Sequence, residues 1–391
     1  MDRWSILAVL FTARIGMALQ FQVVAAVLPF LVPDLGLTYA EAGTLIGLYM
    51  LPGVFLAIPT GWLAARYGDK PVVLAGIVLM IVGGVAIALA DGFALAAFGR
   101  LLGGVGGIFL SVLLTKMTTD WFAGREIATA MAVLVSSWPV GLALAMAAFG
   151  WWATVAPWPV TFYATAAFSG LGLALVALFY RPPPRSGAAA APAAGPGAFR
   201  LGGRSLMLSL LAGAVWGVFN VGAIIYVSFA PTFLIGRGAE PANASLAASL
   251  MVWLCLPLIL LGGRIADRLG RGDLVIAGGA LVTALLMAAM PFAPWPLAVL
   301  VLIGVVWAAP AGPIMALPQQ ALRPEERAAG FGVYFTVYNA AMTALPPAAG
   351  WIFDLSGGPA APLVFGAGLM ASTALFLLLV RGRMAPEAPA A

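Results

Sequence analysis

The chain of 391 residues is 63% hydrophobic and only 8% charged, with a formal net charge of +5. A water-soluble domain is typically about 45–50% apolar and about 25% charged, so this composition excludes an ordinary soluble protein and predicts that lipid surrounds most of the chain. The single cysteine excludes an internal disulfide, and the absence of histidine excludes zinc–imidazole sites and histidine-based proton transfer. The basic residues lie between apolar segments and form no continuous stripe, which argues against a nucleic-acid partner.

Apolar runs separated by charged, glycine-rich or proline-rich breaks predict twelve transmembrane helices, since each span needs about 20 apolar residues. In the first half of the chain the predicted spans are 5–32, 40–64, 71–90, 93–117, 126–150 and 158–180. In the second half they are 205–234, 243–263, 274–293, 296–318, 326–351 and 360–380. The first run is too long for the core of a signal peptide, and we interpret it as a retained span.

A polar segment at 181–204 separates the first six spans from the last six. It begins Arg-Pro-Pro-Pro-Arg-Ser and continues with alanine and glycine, a composition typical of a flexible linker. We therefore predict an N-terminal six-helix bundle at 1–180, a cytoplasmic linker at 181–204 and a C-terminal six-helix bundle at 205–391. Among the loops on the opposite side, only the one with Arg237 carries a basic residue, which predicts an inner-membrane protein with both termini in the cytoplasm.

A charged, glycine-rich turn occurs twice, at positions about 200 residues apart. Residues 262–273 read Gly-Gly-Arg-Ile-Ala-Asp-Arg-Leu-Gly-Arg-Gly-Asp, and residues 61–70 read Gly-Trp-Leu-Ala-Ala-Arg-Tyr-Gly-Asp-Lys. The fifth span of each half also ends in Gly-Trp, at 150–151 and 350–351. Similarity at one offset predicts two structurally related halves, as in transporters built from parallel repeats.

The later turn contains the loop signature G-x-x-x-D-R-x-G-R of the major facilitator superfamily of secondary transporters, which the whole chain resembles. The signature residues are Gly263, Asp267, Arg268, Gly270 and Arg271. The earlier turn keeps Gly61, Arg66 and Gly68 and departs from the signature at Ala65 and Asp69. The resemblance implies an all-α membrane protein with twelve transmembrane helices in two pseudo-symmetric six-helix bundles, and it implies that these residues of both turns act in gating. We expect a monomer without a cofactor, and the substrate does not follow from the fold.

Two arginines lie inside predicted spans, Arg14 about 14 Å into the first span and Arg100 about 10 Å into the fourth, at 1.5 Å per residue. All fourteen acidic residues fall in loops, tails or span ends, so neither arginine has an acidic partner at its depth. A guanidinium in a membrane then needs backbone carbonyls, water or an anionic ligand, and its planar donors suit carboxylates and oxyanions.

We therefore predict that Arg14 and Arg100 bind an anionic substrate. For Arg14 the alternative is a side chain that extends to the cytoplasmic face. For Arg100 the alternative is a helix-packing role, because Gly103, Gly104 and Gly107 fall on its face of the helix and permit close contact.

Polar and aromatic residues inside the spans complete the predicted substrate site. In the first half these residues are Gln22 and Ser137. In the second half they are Trp216, Asn220, Tyr334, Tyr338 and Asn339. For each residue alone, helix–helix hydrogen bonding or an interfacial aromatic position is the alternative.

These residues predict a secondary or facilitative transporter of a small organic or inorganic anion, with efflux of a neutral or hydrophobic compound as the alternative. Since no carboxylate lies mid-membrane, we expect uniport, anion exchange, or symport in which the cation travels with the substrate. An enzyme would need clustered histidine, aspartate or cysteine near one interface, and a sensor would more often carry a sizeable soluble domain. The sequence favours neither, and we expect no catalytic residue and no metal site.

Overall fold

The computed structural model describes residues 2–123, 126–183, 201–323 and 326–384, apart from the side chains at positions 128, 260, 263, 267, 269 and 328. These residues form helices and the turns between them, with no strand among them. The helices before the linker are α1 (Arg3–Ala26), α2 (Leu28–Asp34), α3 (Tyr39–Leu48), α4 (Leu51–Tyr67), α5 (Asp69–Ala88), α6 (Phe93–Phe122), α7 (Ile127–Leu144), α8 (Gly150–Val155) and α9 (Pro159–Phe179). Those after it are α10 (Gly203–Gly236), α11 (Pro241–Leu269), α12 (Gly272–Ala289), α13 (Pro296–Trp307), α14 (Ala311–Ala321), α15 (Arg327–Ser356) and α16 (Ala360–Met384).

Eleven helical segments in the described part of the chain are long and apolar enough to cross a membrane. The remaining long helix is α15, which has 30 residues and includes tyrosines, an asparagine and two consecutive prolines that make it less apolar than the others. The predicted class, an all-α multi-pass membrane protein, is confirmed.

The two charged turns are much shorter than the sequence predicted. The helix α11 continues through the charged residues to Leu269, so only Gly270 and Arg271 lie between it and α12. In the earlier copy only Gly68 separates α4 from α5. Both glycines have positive φ, +58° at Gly270 and +89° at Gly68, a backbone conformation that side chains with a Cβ rarely adopt. The chain therefore reverses at one glycine in each turn, and apart from Arg271 the neighbouring charged residues remain helical.

Three predicted spans are interrupted near prolines, and the first of them breaks at Val27, two residues before Pro29. The second span breaks at Tyr49 and Met50, so that α4 begins just before Pro52. The tenth breaks between Trp307 and Ala311, where α14 follows Pro310. Proline lacks the N–H that would continue the helical ladder, which explains why the breaks occur there. The fifth span instead contains a π-helical segment, Ala145–Phe149, between α7 and α8.

The contacts divide the chain into two compact units. The first unit comprises residues 1–186, 227–253 and 343–362, and the second comprises residues 187–226, 254–342 and 363–391. The helices α10, α11, α15 and α16 therefore contribute residues to both units. The predicted division into a bundle at 1–180 and a bundle at 205–391 describes pseudo-symmetric halves of the sequence, and it stays a prediction.

Within the first unit, α5 packs along α6 and α9, and α1 packs against α7 and α9. The α5–α6 contact brings the two backbones together through glycines. A Cβ atom added at Gly83 would lie 2.5 Å from the carbonyl oxygen of Gly99 and 2.7 Å from the amide nitrogen of Gly103. Within the second unit, α12 packs against α13 and α14.

Candidate functional site

Arg14 lies in α1, in the first unit, and two of its three guanidinium nitrogens have no hydrogen-bond partner among the described residues. Its Nε and Nη1 atoms are buried, and no described residue accepts a hydrogen bond from them. A buried cation without a partner loses its hydration and gains nothing in return, which costs several kcal/mol. Two donors of a positively charged group therefore have no acceptor among the described residues.

The face of α1 that carries Arg14 also carries Phe21, because residues seven apart lie on the same side of a helix. The Phe21 ring lies 5.8 Å from the ring of Tyr49, at the break in the second span, and 5.3 Å from the ring of Trp138 in α7. This face of α1 therefore points between the second and fifth spans of the first unit.

Arg100, in contrast, is fully satisfied by backbone carbonyls. Its Nε donates to Leu45 O at 2.7 Å and its Nη1 to Gln20 O at 2.5 Å. Its Nη2 donates to Phe21 O at 3.1 Å and to Ile46 O at 3.4 Å. The side chain is only 1% exposed. These contacts support the packing role, and we leave Arg100 out of the ligand set in which the sequence had placed it.

The break in the second span explains why the two α3 carbonyls are available. Leu45 and Ile46 lie in the last turn of α3, where carbonyl groups have no donor within the helix. A cation near a helix C-terminus is also favoured by the helix dipole. The Arg100 guanidinium lies 4.7 Å above the ring of Tyr49, the first residue of the break. Arg100 therefore caps α3 and ties it to α1.

The predicted close contact along the glycine face of α6 is confirmed. A Cβ atom at Gly104 would lie 3.0 Å from the carbonyl carbon of Tyr49, and one at Gly107 would lie 2.8 Å from its hydroxyl oxygen. A Cβ atom at Gly103 would lie 3.3 Å from the same ring. The three glycines make room for Tyr49, which packs beside Arg100.

The two other predicted site residues of the first unit have partners within their own surroundings. Gln22 is 1% exposed, and its Nε2 donates to the sulfur of Met146 at 3.2 Å. A thioether is a weak acceptor, so this amide is poorly satisfied. Ser137 donates to Leu134 O at 2.5 Å, within the same helix. Neither residue hydrogen-bonds to Arg14 in this structure.

In the second unit, the predicted site residues of α10 and α15 form two groups. The Trp216 ring lies 6.2 Å from that of Tyr338, and Asn220 Nδ2 donates to Trp216 O at 2.8 Å. Tyr334 donates to the sulfur of Met315 at 3.5 Å, and Asn339 Nδ2 donates to Phe335 O at 2.8 Å. The structure thus brings Trp216 and Tyr338 together, whereas both asparagines bond to their own helix.

The sequence reasoning missed two aromatic residues of this cluster. Phe219 stacks against Trp216 at 5.9 Å and against Trp307 at 6.3 Å, both with nearly parallel rings. The Trp307 Nε1 atom is buried, and no described residue accepts a hydrogen bond from it. Trp307 could have been found from its position at the end of an apolar run, three residues before Pro310.

The later charged turn lines a cavity of about 520 Å³ in the second unit. The lining residues are Gly270, Arg271, Gly272, Asp273, Leu274, Gln320 and Arg381. Arg381 donates to both carboxylate oxygens of Asp273, at 2.8 and 2.6 Å, and to Gln320 at 2.9 Å. Arg268 is exposed, while the side-chain positions of Gly263 and Asp267 lie outside the described part of the structure. The predicted gating role of this turn stays a prediction.

In the earlier turn, the acidic residue that departs from the signature forms an ion pair. Asp69, which stands where the signature has a base, pairs with Lys116 of α6 at 2.5 Å, and Lys116 also reaches Asp120 at 3.2 Å. Arg66 is exposed and lies over the ring of Tyr67 at 5.4 Å, and Gly61 has open space around it. The ion pair of this turn therefore joins α5 to α6. Lys116 was not among the predicted site residues, because the signature gives no position in α6.

A second contact on the side of the charged turns lies in the second unit, where Glu326 precedes α15. Its carboxylate accepts hydrogen bonds from Ser205 Oγ at 2.7 Å and from Gly202 N at 3.2 Å. These hydrogen bonds, with that from Ser205 the stronger, lower the pKa of Glu326 below its ordinary value of 4.5. The contact ties the start of α10 to the start of α15.

Apolar helices long enough to cross a membrane, with paired charges near several helix ends, define a multi-pass membrane protein. The profile of the Major Facilitator Superfamily matches this chain at residues 10–346 and 225–391. The chain belongs to the Major Facilitator Superfamily.

Solved structures with the same fold cover almost the whole chain. The nucleoside transporter NupG aligns with a TM-score of 0.76 and 16% identity, covering 97% of this chain and 98% of that one. A bacterial homologue of the human lysosomal transporter Spinster, in an inward-facing and unoccupied conformation, aligns with a TM-score of 0.76 and 17% identity, covering 98% and 96%. At this identity the likeness establishes the fold alone.

Similarity to curated proteins is confined to part of each chain. Azole resistance protein 1 of Saccharomyces cerevisiae is 27% identical over 165 residues, 42% of this chain and 27% of the relative. The hexuronate transporter of Bacillus subtilis is 27% identical over 161 residues, 41% of this chain and 38% of the relative. The matches thus span well under half of these relatives, and membership of the superfamily is what the comparisons establish for this chain.

Proposed function

We propose that this protein moves a small organic or inorganic anion, such as a carboxylate or an oxyanion, across the inner membrane by alternating access of its two six-helix halves. The observation that carries the proposal is the buried guanidinium of Arg14, whose Nε and Nη1 have no acceptor among the described residues. An anionic substrate supplies the missing acceptors and the opposite charge in one step. Guanidinium and carboxylate match each other in a bidentate geometry.

The placement of the acids supports this proposal. In the described structure every aspartate and glutamate lies in a turn or within four residues of a helix end. Asp34, Glu41 and Asp354, for example, occupy first or last turns. Because no carboxylate lies at the depth of Arg14, the arginine has no built-in counter-ion and the protein has no acid at mid-membrane to carry a proton. We infer uniport, anion exchange, or symport in which the cation travels with the substrate.

The hexuronate transporter of Bacillus subtilis is consistent with an anionic substrate, since a hexuronate is a sugar carboxylate. The orientation with both termini in the cytoplasm and the monomeric state belong to the same proposal. The predicted site residues Gln22, Ser137, Trp216, Asn220, Tyr334, Tyr338 and Asn339 stay candidates for contacts to the uncharged part of the substrate.

Uptake into proteoliposomes tests the proposal. Purified wild-type protein should accumulate at least one radiolabelled carboxylate or oxyanion, and Arg14→Ala should reduce that uptake at least tenfold, because a buried cation with two unpaired donors is removed. A Lys at this position keeps the charge without the planar pair of donors and should retain an intermediate rate.

The matched control is Arg383→Ala, which removes the same charge from an exposed residue near the end of α16 and should transport normally. Normal anion uptake by Arg14→Ala would contradict the proposed substrate class and leave family membership intact.

The alternative is efflux of a neutral or hydrophobic compound, favoured by the stacked rings of Trp216, Phe219 and Trp307 and by the similarity to azole resistance protein 1. A drug-susceptibility screen of a strain that lacks the protein distinguishes the two functions. Hypersensitivity to neutral apolar drugs, with unchanged anion uptake, would favour efflux.

A further inference from the structure

The start of α3, in the first unit, is capped by a side chain from a distant helix. The backbone N–H groups of Tyr39 and Ala40 donate to the two carboxylate oxygens of Asp354, at 2.9 and 2.8 Å. The next N–H, that of Glu41, donates to Thr38 Oγ1 at 3.1 Å. The first N–H groups of a helix have no acceptor within it, so two of these free donors of α3 depend on Asp354.

The position of Asp354 is not explained by its own helix. It lies in the last turn of α15, where the helix dipole disfavours a negative charge, and it makes its contacts at the start of α3, where the dipole favours one. Hydrogen bonds from N–H groups to a carboxylate are about twice as strong as those between neutral groups. The start of α3 therefore supplies the hydrogen-bond donors and the favourable dipole that the end of α15 does not provide for this carboxylate.

The packing beneath this cap joins α3 and α15 closely. The ring of Tyr39 stacks on that of Phe353 at 3.6 Å, with 25° between the planes. A Cβ atom at Gly43 would lie 2.7 Å from the carbonyl carbon of Pro346, and one at Gly350 would overlap the backbone of Tyr39. These glycines let the two backbones touch, so the helix ends cannot separate without breaking the Asp354 contacts.

We propose that Asp354 is a latch that holds this end of the protein closed. The carboxylate binds the Tyr39 and Ala40 amides in the closed conformation and releases them when α3 and α15 separate at this end. Alternating access requires that separation once in each cycle, so the strength of the latch sets the ratio of closed to open protein. The latch rests on family membership and on the contacts above, and it is independent of whether the substrate is an anion.

Another contact between helices of the first unit is weaker, and the strength of the Asp354 contact can be compared with it. Ser249 Oγ donates to Ala143 O at 2.9 Å, joining α11 to α7 through a single neutral hydrogen bond. A hydrogen bond to a charged group is stronger than one between neutral groups. Of these two contacts, the one made by Asp354 is therefore expected to control opening.

The test measures opening without any substrate. Spin labels are attached to cysteines at Leu89 and Leu246, which are 63% and 48% exposed, in a background where Cys255 is replaced by serine. Double electron–electron resonance then reports the distance between these positions in reconstituted protein. Asp354→Ala removes both acceptors and should raise the ratio of long-distance to short-distance populations roughly tenfold, while Asp354→Asn keeps one acceptor and should raise it less.

The control is Asp91→Ala, which removes an acid from the turn between α5 and α6 at the same end of the helices and should leave the ratio unchanged. Gly350→Ala tests the latch without changing charge: its Cβ would push Tyr39 away and should shift the ratio in the same direction. An unchanged ratio in Asp354→Ala, or an equal shift in Asp91→Ala, would overturn the proposal. Should Asp354→Ala fail to fold, the Asn and Gly350 variants decide by the same criteria.

Discussion

At the scale of single residues, two buried arginines in the first unit have opposite surroundings. Arg100 donates to four carbonyls of α1 and α3, whereas Arg14 leaves two buried nitrogens without an acceptor among the described residues. Removing a satisfied buried cation leaves its acceptors unpaired, and an unsatisfied buried cation is retained at a cost in stability. The contrast therefore separates a structural arginine from the proposed ligand arginine.

Replacing Arg100 tests this separation. Arg100→Met keeps the approximate volume but leaves the last carbonyls of α3 without a donor, and it should lower the free energy of unfolding by about 2–4 kcal/mol. Lys70→Met is the control, because the Lys70 ammonium makes two comparable carbonyl bonds at 2.8 and 2.9 Å nearer to water and its loss should cost within about 1.5 kcal/mol. Denaturant titration of both variants measures the difference. Wild-type stability of Arg100→Met combined with lost transport would assign Arg100 to the substrate instead.

Which arginine would be satisfied could not be predicted from the sequence. Depth follows from counting residues, so both Arg14 and Arg100 were found. The acceptors of Arg100, however, belong to α1 and α3, and the two in α3, Leu45 O and Ile46 O, are free because the second span breaks at Tyr49. Such a combination of three helices has no signature in a single apolar run. Lys116, which finds Asp69 across a helix contact, was missed for the same reason.

At the scale of elements, glycines decide which helices approach closely. Gly83 of α5 meets the backbone of α6 at Gly99 and Gly103, whereas Gly170 of α9 has open space at the position of a Cβ atom. Both lie inside helices, so alanine improves the intrinsic helix propensity equally at the two positions. Any difference between their alanine variants therefore reports packing.

We predict changes in opposite directions. Gly83→Ala forces α5 away from α6 and should destabilise the protein by about 1–3 kcal/mol, as overpacking does. Gly170→Ala meets nothing and should be neutral or stabilise by about 0.5–1 kcal/mol. Thermal unfolding in detergent gives both values. If the two variants shift Tm in the same direction, close α5–α6 packing does not contribute to stability as described.

Helix existence was predictable from apolar runs, and helix ends were less so. Breaks near Pro52 and Pro310 follow from the missing N–H of proline. The extension of α11 to Leu269 was not foreseen, because charge was read as the end of the helix. An arginine is a good helix former, and a helix that leaves the membrane can continue into water. The π-helical segment Ala145–Phe149 has no proline within it and no pattern that predicts it.

At the scale of the whole molecule, composition identifies a membrane protein, and the buried arginine leads to the hypothesis of an anionic substrate. A chain with 63% hydrophobic residues and few charges must span a membrane, and the match of the family profile places it in the Major Facilitator Superfamily. Substrate choice depends on a few side chains in a fold that many transporters share. The account therefore rests on Arg14, the buried cation whose counter-ion is proposed to be the cargo.

Ligand-dependent thermal unfolding of purified wild-type protein and of Arg14→Met tests this claim most directly. A ligand that binds the folded protein at 100 times its Kd adds about 2.7 kcal/mol of stability, which raises Tm measurably. In a panel of carboxylates and oxyanions with their neutral amides or esters, at least one anion should raise the Tm of wild type, whereas its neutral analogue should not. The same anion should leave the Tm of Arg14→Met unchanged. An equal rise in both proteins, or stabilisation of wild type by neutral compounds alone, would contradict the account.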